Sequence, residues 1–279
     1  MMEQEAMKIS LEDYVLSGGG ANGESFDHKT DKSVMLKLYF PGKARQPLDE
    51  MMLARKVFAR GIPTPEPGEY VVTEDGRYGI RFRRIMGKKS FSRATADHPE
   101  KVQEYAGTFA RMCLDLHAKH VDTTQFESVK ARYQGLLEDN PFFTPAEKDR
   151  IGRFISDAPD TDTAIHGDLQ FSNAIFVGNH RYFIDLGDFC YGYNLFDIGM
   201  VYLCCNLSPE PFVMETFHMP KALAGEFWEH FARAYFGGDR PLKDIEDEIL
   251  LYAGLKTLII ERDMKEPMPV FREALKSVL

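Results

Sequence analysis

Cysteine is scarce in this chain. Four of the 279 residues are Cys, and no two of them have the C-x-x-C spacing of a redox or zinc motif. The count is too low for the disulfide framework of a small secreted domain, so reduced thiols in a cytoplasmic protein are expected. The adjacent Cys204 and Cys205 lie in an apolar stretch, which favours core packing over metal binding.

Long apolar runs are also missing. Segments such as Leu255–Ile260 are interrupted by charges well short of a membrane span. The first residues, Met1-Met2-Glu3-Gln4-Glu5, are acidic and lack the apolar core of a signal peptide. We therefore expect a cytoplasmic location and no membrane partner, while the sequence sets no oligomeric state.

The chain has no stripe of basic residues for a nucleic acid partner. Residues 1–90 contain 15 Lys and Arg against 13 Asp and Glu, whereas the remainder contains 19 against 30. Such an acidic C-terminal part would repel a phosphate backbone. It favours either a cationic substrate or an acidic surface that only maintains solubility, and both interpretations stay open.

The local patterns predict an α+β protein with two domains, a small antiparallel sheet lobe at 1–86 and a mainly helical lobe at 87–279. Strands are expected at Glu12–Leu16, Ser25–His28, Ser33–Phe40, Tyr70–Thr73 and Tyr78–Ile85, with one helix over Leu48–Arg60. Helices are then expected along the apolar stripe from Val102 to Leu116, after the capping box at Thr144, and over Leu195–Cys205, Lys221–Phe236 and Leu242–Glu261. Two short strands within 173–185 interrupt the helices.

The segment His166–Asn173 contains the most informative pattern, H-x-D-x-x-x-x-N, and Asp185-Leu186-Gly187 follows it. In phosphoryl transfer such an Asp orients the attacking hydroxyl and accepts its proton, and the Asn and the second Asp hold magnesium. Asp168 is therefore the candidate catalytic residue, and Asn173 and Asp185 are the candidate metal ligands. Either motif alone would fit an ordinary turn, but their order and spacing favour catalysis. The single nearby His argues against a zinc hydrolase.

A glycine-rich segment in the N-terminal part fits G-x-G-x-x-G. The candidates for covering a nucleotide's phosphates are Gly18, Gly19, Gly20, Ala21, Asn22 and Gly23. A dinucleotide-binding version would open a helix, but here another strand is expected next. Strand–loop–strand is the kinase arrangement.

Three further residues complete the predicted nucleotide site. Lys37 is a charge inside an apolar strand, at the place where a kinase lysine contacts the α- and β-phosphates. Glu50 on the following helix is its candidate partner, with Asp49 as a competitor. Met86 lies at the expected hinge between the lobes.

With these motifs, the sequence resembles the aminoglycoside phosphotransferase and choline kinase family, which has a protein-kinase-like fold. The resemblance covers nearly the whole chain, including Gly61–Pro65 and Leu116-His117, and it implies that Asp197 is a buried organiser of the catalytic loop. Only nine residues separate Gly187 from Asp197, which leaves no room for the activation loop of a protein kinase.

The resemblance implies an ATP- and Mg²⁺-dependent kinase acting on a small-molecule alcohol, with GTP also open as the donor. Aminoglycosides, amino alcohols, sugars and hydroxy amino acids stay open as acceptors, and the acidic C-terminal part favours a cationic one. Two other classes of protein are alternatives. One is a nucleotide-binding regulatory protein without turnover, against which the intact Asp168, Asn173, Asp185 and Lys37 count. The other is a Rossmann-type oxidoreductase, which the absence of βαβ alternation disfavours.

Overall fold

A computed structural model describes residues 5–20, 22–42 and 45–275. The chain divides into two compact units. The N-terminal unit comprises Met1–Lys88 and Ile175–Gly187, and the C-terminal unit comprises Lys89–Ala174 and Asp188–Leu279. The domain boundary expected at residue 86 stays a prediction; the units differ from it because 175–187 groups with the N-terminal residues.

A six-stranded sheet and one helix form most of the N-terminal unit. They are β1 (Met7–Ile9), β2 (Tyr14–Gly20), β3 (Gly23–His28), β4 (Val34–Tyr39), α1 (Arg45–Ala59), β5 (Pro67–Thr73) and β6 (Tyr78–Arg83). The strand order is β1-β5-β6-β4-β3-β2. Because β1 runs parallel to β5 and the other neighbours are antiparallel, the sheet is mixed, whereas an antiparallel sheet was expected.

Strand β4 decides which side chains reach the site. Successive residues of a strand point to opposite faces, and Leu36 and Leu38 are fully buried in the apolar cluster on one face. Tyr39 packs with Met51 of α1 in the cluster on the other face. Lys37 shares the face of Tyr39, so the strand period directs its ammonium towards α1.

The rest of the chain alternates helices with short strands. The elements are β7 (Lys89–Ser90), α2 (Phe91–Asp97), α3 (Val102–His117), α4 (Val129–Asp139), α5 (Pro145–Asp157), β8 (Ala164–Ile165), β9 (Ala174–Val177), β10 (His180–Phe183), β11 (Cys190–Tyr191), α6 (Leu195–Tyr202), α7 (Glu210–Phe217), α8 (Lys221–Phe236), α9 (Leu242–Leu255), α10 (Thr257–Met264) and α11 (Pro269–Arg272). None of the helices in the described ranges is long and apolar enough to cross a membrane.

Aromatic packing forms the core of the C-terminal unit. Helix α3 packs against α8, and α6 packs against α9. Phe109 of α3 lies 5.4 Å from Phe231 of α8 between ring centroids. Phe171, which lies within the His166–Asn173 motif, packs with its ring centroid 4.5 Å from that of Phe217 and 4.9 Å from that of Phe227. The predicted motif is thereby anchored in the core.

Two predicted helices differ from those observed. The helix expected over Leu195–Cys205 ends at Tyr202 and continues as a π-helix over Leu203–Leu207. The helix expected over Leu242–Glu261 is divided into α9 and α10, with Lys256 between them. Apolar residues continue at helical spacing across both points, so periodicity alone does not reveal the breaks.

Candidate active site

In the N-terminal unit, Lys37 makes two ion pairs. Its Nζ lies 2.7 Å from Glu50 Oε1 and 2.8 Å from Asp185 Oδ1. Burial by itself would lower the pKa of Lys37, but the charges of Asp185 and Glu50 outweigh it and raise the pKa above its usual value. Lys37 is therefore a fixed ammonium, held between strand β4, helix α1 and the turn after β10.

The turn after β10 gives Asp185 an unusual backbone. Its φ of 61° lies in the left-handed region, which is uncommon for a residue other than glycine. The side chain is 53% exposed even though it pairs with Lys37. Two residues on, Gly187 approaches Glu50 so closely that a Cβ there would lie 3.3 Å from Oε2. The second predicted metal ligand thus presents carboxylate oxygens to solvent.

Tyr39 joins the charged group of Lys37, Glu50 and Asp185, and the sequence motifs did not reveal it. Its hydroxyl donates a hydrogen bond to Glu50 Oε2. Burial, together with the adjacent Glu50 charge, raises the pKa of Tyr39 far above its usual value, so the phenol stays a donor. The sequence does contain a signal for Tyr39, the strand period. Residues two apart in a strand share a face, and Tyr39 lies two residues after Lys37.

The glycine segment forms a hairpin between β2 and β3. Gly18 pairs with Ser25, and Gly20 pairs with Gly23, in the strand–loop–strand arrangement expected from the sequence. A Cβ on Gly23 would lie 2.2 Å from the Leu38 carbonyl oxygen, so the hairpin can lie against β4 only with glycine there. Cβ atoms on Gly19 and Gly20 would meet no atom within 4 Å.

The structure adds little on three other residues predicted for the nucleotide site. Ala21 lies outside the described residues. Asn22 is exposed at the hairpin end, where its carbonyl accepts the Phe40 N–H at 3.1 Å. Met86 follows β6 and is 53% exposed. The roles of the glycine segment and of Met86 in binding a nucleotide stay predictions.

In the C-terminal unit, the His166–Asn173 motif holds Asp168 in a defined orientation. Its Oδ2 accepts hydrogen bonds from Asn173 Nδ2 at 2.9 Å and from Gln170 Nε2 at 3.0 Å. Asn173 Nδ2 also donates to the Asp168 carbonyl at 3.1 Å. Because both bonds use the amide nitrogen of Asn173, its carbonyl oxygen stays available as a ligand. Gln170 was not among the predicted site residues.

The position of this loop follows from alternating burial. Leu169 and Phe171 are fully buried, whereas Asp168 before them and Gln170 between them are partly exposed. The apolar side chains therefore fix the loop in the core and turn the polar ones outward.

Asp197 holds the loop from beneath. It is fully buried, and its two oxygens accept the backbone N–H groups of His166 at 2.7 Å and Gly167 at 2.9 Å. His117 Nε2 lies 3.1 Å away, and its Nδ1 lies 2.7 Å from the Tyr235 hydroxyl. Burial alone would raise the pKa of Asp197, but the hydrogen bond and charge of His117 lower it. This geometry is the one that the family resemblance implied for Asp197.

Gly167 stands where protein kinases carry arginine, and the structure gives the physical reason. Strands β8 and β11 are antiparallel with Ile165 opposite Cys190, and continuing that register places Gly167 opposite Asp188. A Cβ on Gly167 would lie 2.0 Å from the Asp188 carbonyl oxygen. Its φ is also +88°. No residue with a side chain fits there without moving the loop.

Comparison with protein families matches residues 15–243 to the phosphotransferase enzyme family, APH. The match spans most of the chain. The chain belongs to this family. A comparison with curated protein sequences finds no match.

Solved structures similar to this family member share its fold at low sequence identity. An amicoumacin kinase, hAmiN, in complex with AMP-PNP and Ca²⁺, has a TM-score of 0.60 at 16% identity, covering 98% of this chain and 90% of that one. The apo form of a thermostable mutant of aminoglycoside phosphotransferase APH(4)-Ia has a TM-score of 0.64 at 13% sequence identity. The match covers 95% of this chain and 94% of that one. A choline/ethanolamine kinase family protein from Mesorhizobium loti has a TM-score of 0.55 at 16% sequence identity, and the match covers 95% of this chain and 85% of that one. The predicted protein-kinase-like α+β fold is confirmed.

The acidic residues that the sequence suggests for binding a cation are Asp188, Glu210, Glu215, Glu261 and Asp263. The structure of this phosphotransferase family member gives two of them other partners. Glu261 is 1% exposed and binds Arg272 through both oxygens. Asp188 lies 3.8 Å from Arg132, which also donates to the Asp188 carbonyl. Glu261 is therefore a structural ion-pair residue, and Asp188 faces a cation of the protein itself.

Proposed function

We propose that this protein is an ATP- and Mg²⁺-dependent phosphotransferase that moves the γ-phosphate of ATP to a hydroxyl group of a small molecule. The observation that carries the proposal is the oriented Asp168 carboxylate, bound by Asn173 and Gln170, in a loop that buried Asp197 holds by two backbone N–H groups. Membership of the phosphotransferase family supports the same reaction class.

Asp168 is the residue proposed to act on the acceptor. It orients the acceptor hydroxyl and takes its proton as the hydroxyl oxygen bonds to the γ-phosphorus. The bond between that phosphorus and the β-phosphate oxygen breaks, and ADP leaves. The hydrogen bonds from Asn173 and Gln170 to Oδ2 fix the orientation of the carboxylate that receives the proton.

The donor side of the proposal uses the N-terminal residues. The Lys37 ammonium, fixed by Glu50, is proposed to bind the α- and β-phosphates, and the hairpin of Gly18–Gly23 to cover them. The amide oxygen of Asn173 and the carboxylate of Asp185 are oxygen donors, which suit Mg²⁺. The bound metal would neutralise phosphate charge. Neighbouring structures contain AMP-PNP, ADP or GDP, so both ATP and GTP belong in the assay.

For the acceptor, we infer a cationic alcohol such as an aminoglycoside or an amino alcohol. The acidic excess beyond residue 90 supports this class, because carboxylates raise the local concentration of cations. Among the neighbours, APH(4)-Ia was solved with hygromycin B and another phosphotransferase with gentamicin. Glu210 and Glu215 of α7 are the proposed recognition residues. Asp188, Glu261 and Asp263 are set aside because each pairs with an arginine of the same unit.

The catalytic proposal is tested by measuring ADP release against a panel of small-molecule alcohols, with ATP or GTP and Mg²⁺. The variant Asp168→Asn should lose activity by about 10²–10⁴-fold, the range of general-base assistance. Its control is Asp160→Asn, because Asp160 is a 92% exposed carboxylate in the same unit. A loss below about tenfold would remove Asp168 from the role of base. Nucleotide binding without transfer to any alcohol would favour a regulatory protein.

The acceptor proposal needs a separate comparison. We expect kcat/KM for cationic alcohols to exceed that for matched neutral ones, and the advantage to shrink at high ionic strength because salt screens exposed charges. Glu215→Gln should reduce the advantage, whereas Lys148→Met on α5 should not change it. A neutral sugar preferred at both salt levels would refute the cationic acceptor and leave the kinase proposal intact.

A further inference from the structure

A buried lysine lies behind the catalytic motif. Lys256 separates α9 from α10 in the C-terminal unit, and only 1% of it is exposed. Its Nζ lies 3.5 Å from the Gly167 carbonyl oxygen and 5.2 Å from the centroid of the Tyr133 ring. The residue is also beyond the part of the chain, 15–243, that the family model matches.

The charge of Lys256 is retained in spite of its burial. Desolvation by itself would lower the pKa of Lys256, but the contact with Tyr133 and the carboxylates of Asp197 and Asp168 raise it above its usual value. A fully buried ammonium is costly unless it is paired. Its neighbours therefore indicate why this cation is tolerated in the core.

The contacts of Lys256 complete the fixation of Gly167. The Gly167 N–H donates to Asp197 at 2.9 Å, and the Gly167 carbonyl faces the Lys256 ammonium. Glycine is the residue with the greatest backbone freedom, and this one directly precedes Asp168. With a carboxylate on its N–H side and an ammonium on its carbonyl side, Gly167 is restrained at both peptide groups.

We propose that Lys256 is a positioning residue of the phosphotransfer reaction, which holds the Gly167 peptide and thereby sets the direction of Asp168. The proposal rests on the assignment of Asp168 as the catalytic residue. Lys256 does not contact the reacting atoms in this role; it acts through the backbone of the loop.

An activity-free test uses the dipeptide Gly167-Asp168. Labelling glycine with ¹³C at the carbonyl and aspartate with ¹⁵N gives a carbonyl-correlated amide signal only for Gly–Asp pairs. The chain has three of these, the others being Gly187-Asp188 and Gly238-Asp239. Asp168→Asn assigns the signal of interest by removing it. In Lys256→Met this ¹³C signal should move upfield, because the carbonyl oxygen loses its donor, while the Gly238-Asp239 signal stays in place.

The kinetic test separates positioning from binding. Lys256→Met should lower kcat by about ten- to a hundredfold, the cost of a small misplacement of a catalytic group, with the KM for the nucleotide unchanged. The matched control is Lys148→Met, since Lys148 donates to the Glu138 carbonyl at 2.7 Å on the surface of the same unit. Lys256→Arg keeps a cationic donor and should retain more of both kcat and the wild-type signal; it also carries the test if the Met variant does not fold.

The two proposals fail in different ways. If the wild-type protein transfers phosphate to no alcohol, the proposed function fails, and the labelled signal still reports on Lys256. If the Gly167-Asp168 signal in Lys256→Met stays where it is in the wild type, or if kcat equals that of Lys148→Met, the positioning role is wrong.

Discussion

Replacing Gly167 by alanine tests how closely the His166–Asn173 loop approaches the backbone of Asp188. The added Cβ would lie 2.0 Å from the carbonyl oxygen of Asp188 and 2.6 Å from its carbonyl carbon. Both atoms belong to the backbone of a segment that β11 holds by pairing with β8. A rotamer change cannot relieve this clash, so either the loop or the 188 segment must move.

The unfolding free energy that Gly167→Ala is expected to lose has two parts. An L-residue at the positive φ of Gly167, +88°, costs about 1–2 kcal/mol. Overpacking of a closed contact adds about 1–3 kcal/mol. A substitution at Gly76 measures the backbone part alone, since the φ of Gly76 is +81° but a Cβ there would meet no atom within 4 Å. We expect Gly76→Ala to lose only about 1–2 kcal/mol of unfolding free energy and Gly167→Ala to lose about 2–5 kcal/mol.

Urea unfolding followed by circular dichroism measures both free energies, and phosphate transfer by each variant is measured in parallel. Gly167→Ala should also lose activity because Asp168 is the next residue, whereas Gly76→Ala should keep it. Equal destabilisation of the two variants, or an active Gly167→Ala, would refute the close-contact explanation for this glycine.

Three further outcomes are expected. Asp185→Asn should weaken magnesium-dependent nucleotide binding more than Asn173→Ala, because a carboxylate attracts Mg²⁺ as a charge and an amide only as a dipole; calorimetric titrations with and without magnesium measure this, and equal magnesium dependence in wild type and Asp185→Asn would contradict it. Tyr39→Phe should cost about 0.5–1.5 kcal/mol of stability through the lost bond to Glu50, measured by urea unfolding; an unchanged midpoint would count against that bond. Asp197→Asn should lose about 3–5 kcal/mol at pH 7. Because the folded-state pKa of Asp197 is lowered, its contribution is present above the unfolded pKa and lost as pH falls below about 4, so the Asn variant should lose less stability there. Parallel acid-unfolding curves would argue against this sign.

The elements of the fold were largely predictable, because each is set by local periodicity. The stripe of α3 is an example, since Val102, Phe109, Met112 and Leu116 are all buried as their spacing predicts. The capping box at Thr144 is also present, with the Thr144 side chain accepting the Glu147 N–H and Glu147 reaching back. The direction in which strands pair was harder to predict from the sequence, because the parallel pairing of β1 with β5 joins segments far apart in the chain.

For the candidate site, the sequence by itself determined the order and spacing of Asp168, Asn173 and Asp185, since these lie within one short stretch. The pairing of Lys37 with Glu50 was one of two alternatives, and the structure shows a 2.7 Å contact to Glu50. Whether these groups bind a nucleotide and magnesium stays a prediction.

Only the tertiary structure decided what surrounds the His166–Asn173 loop. Lys256 reaches Gly167 from 89 residues away along the chain, and His117 reaches Asp197 from 80. No local period links such pairs, because their contact depends on how helices pack. The sequence therefore specified the candidate catalytic residues. The packing of α3, α6 and the α9–α10 break placed buried charges against the loop that carries Asp168.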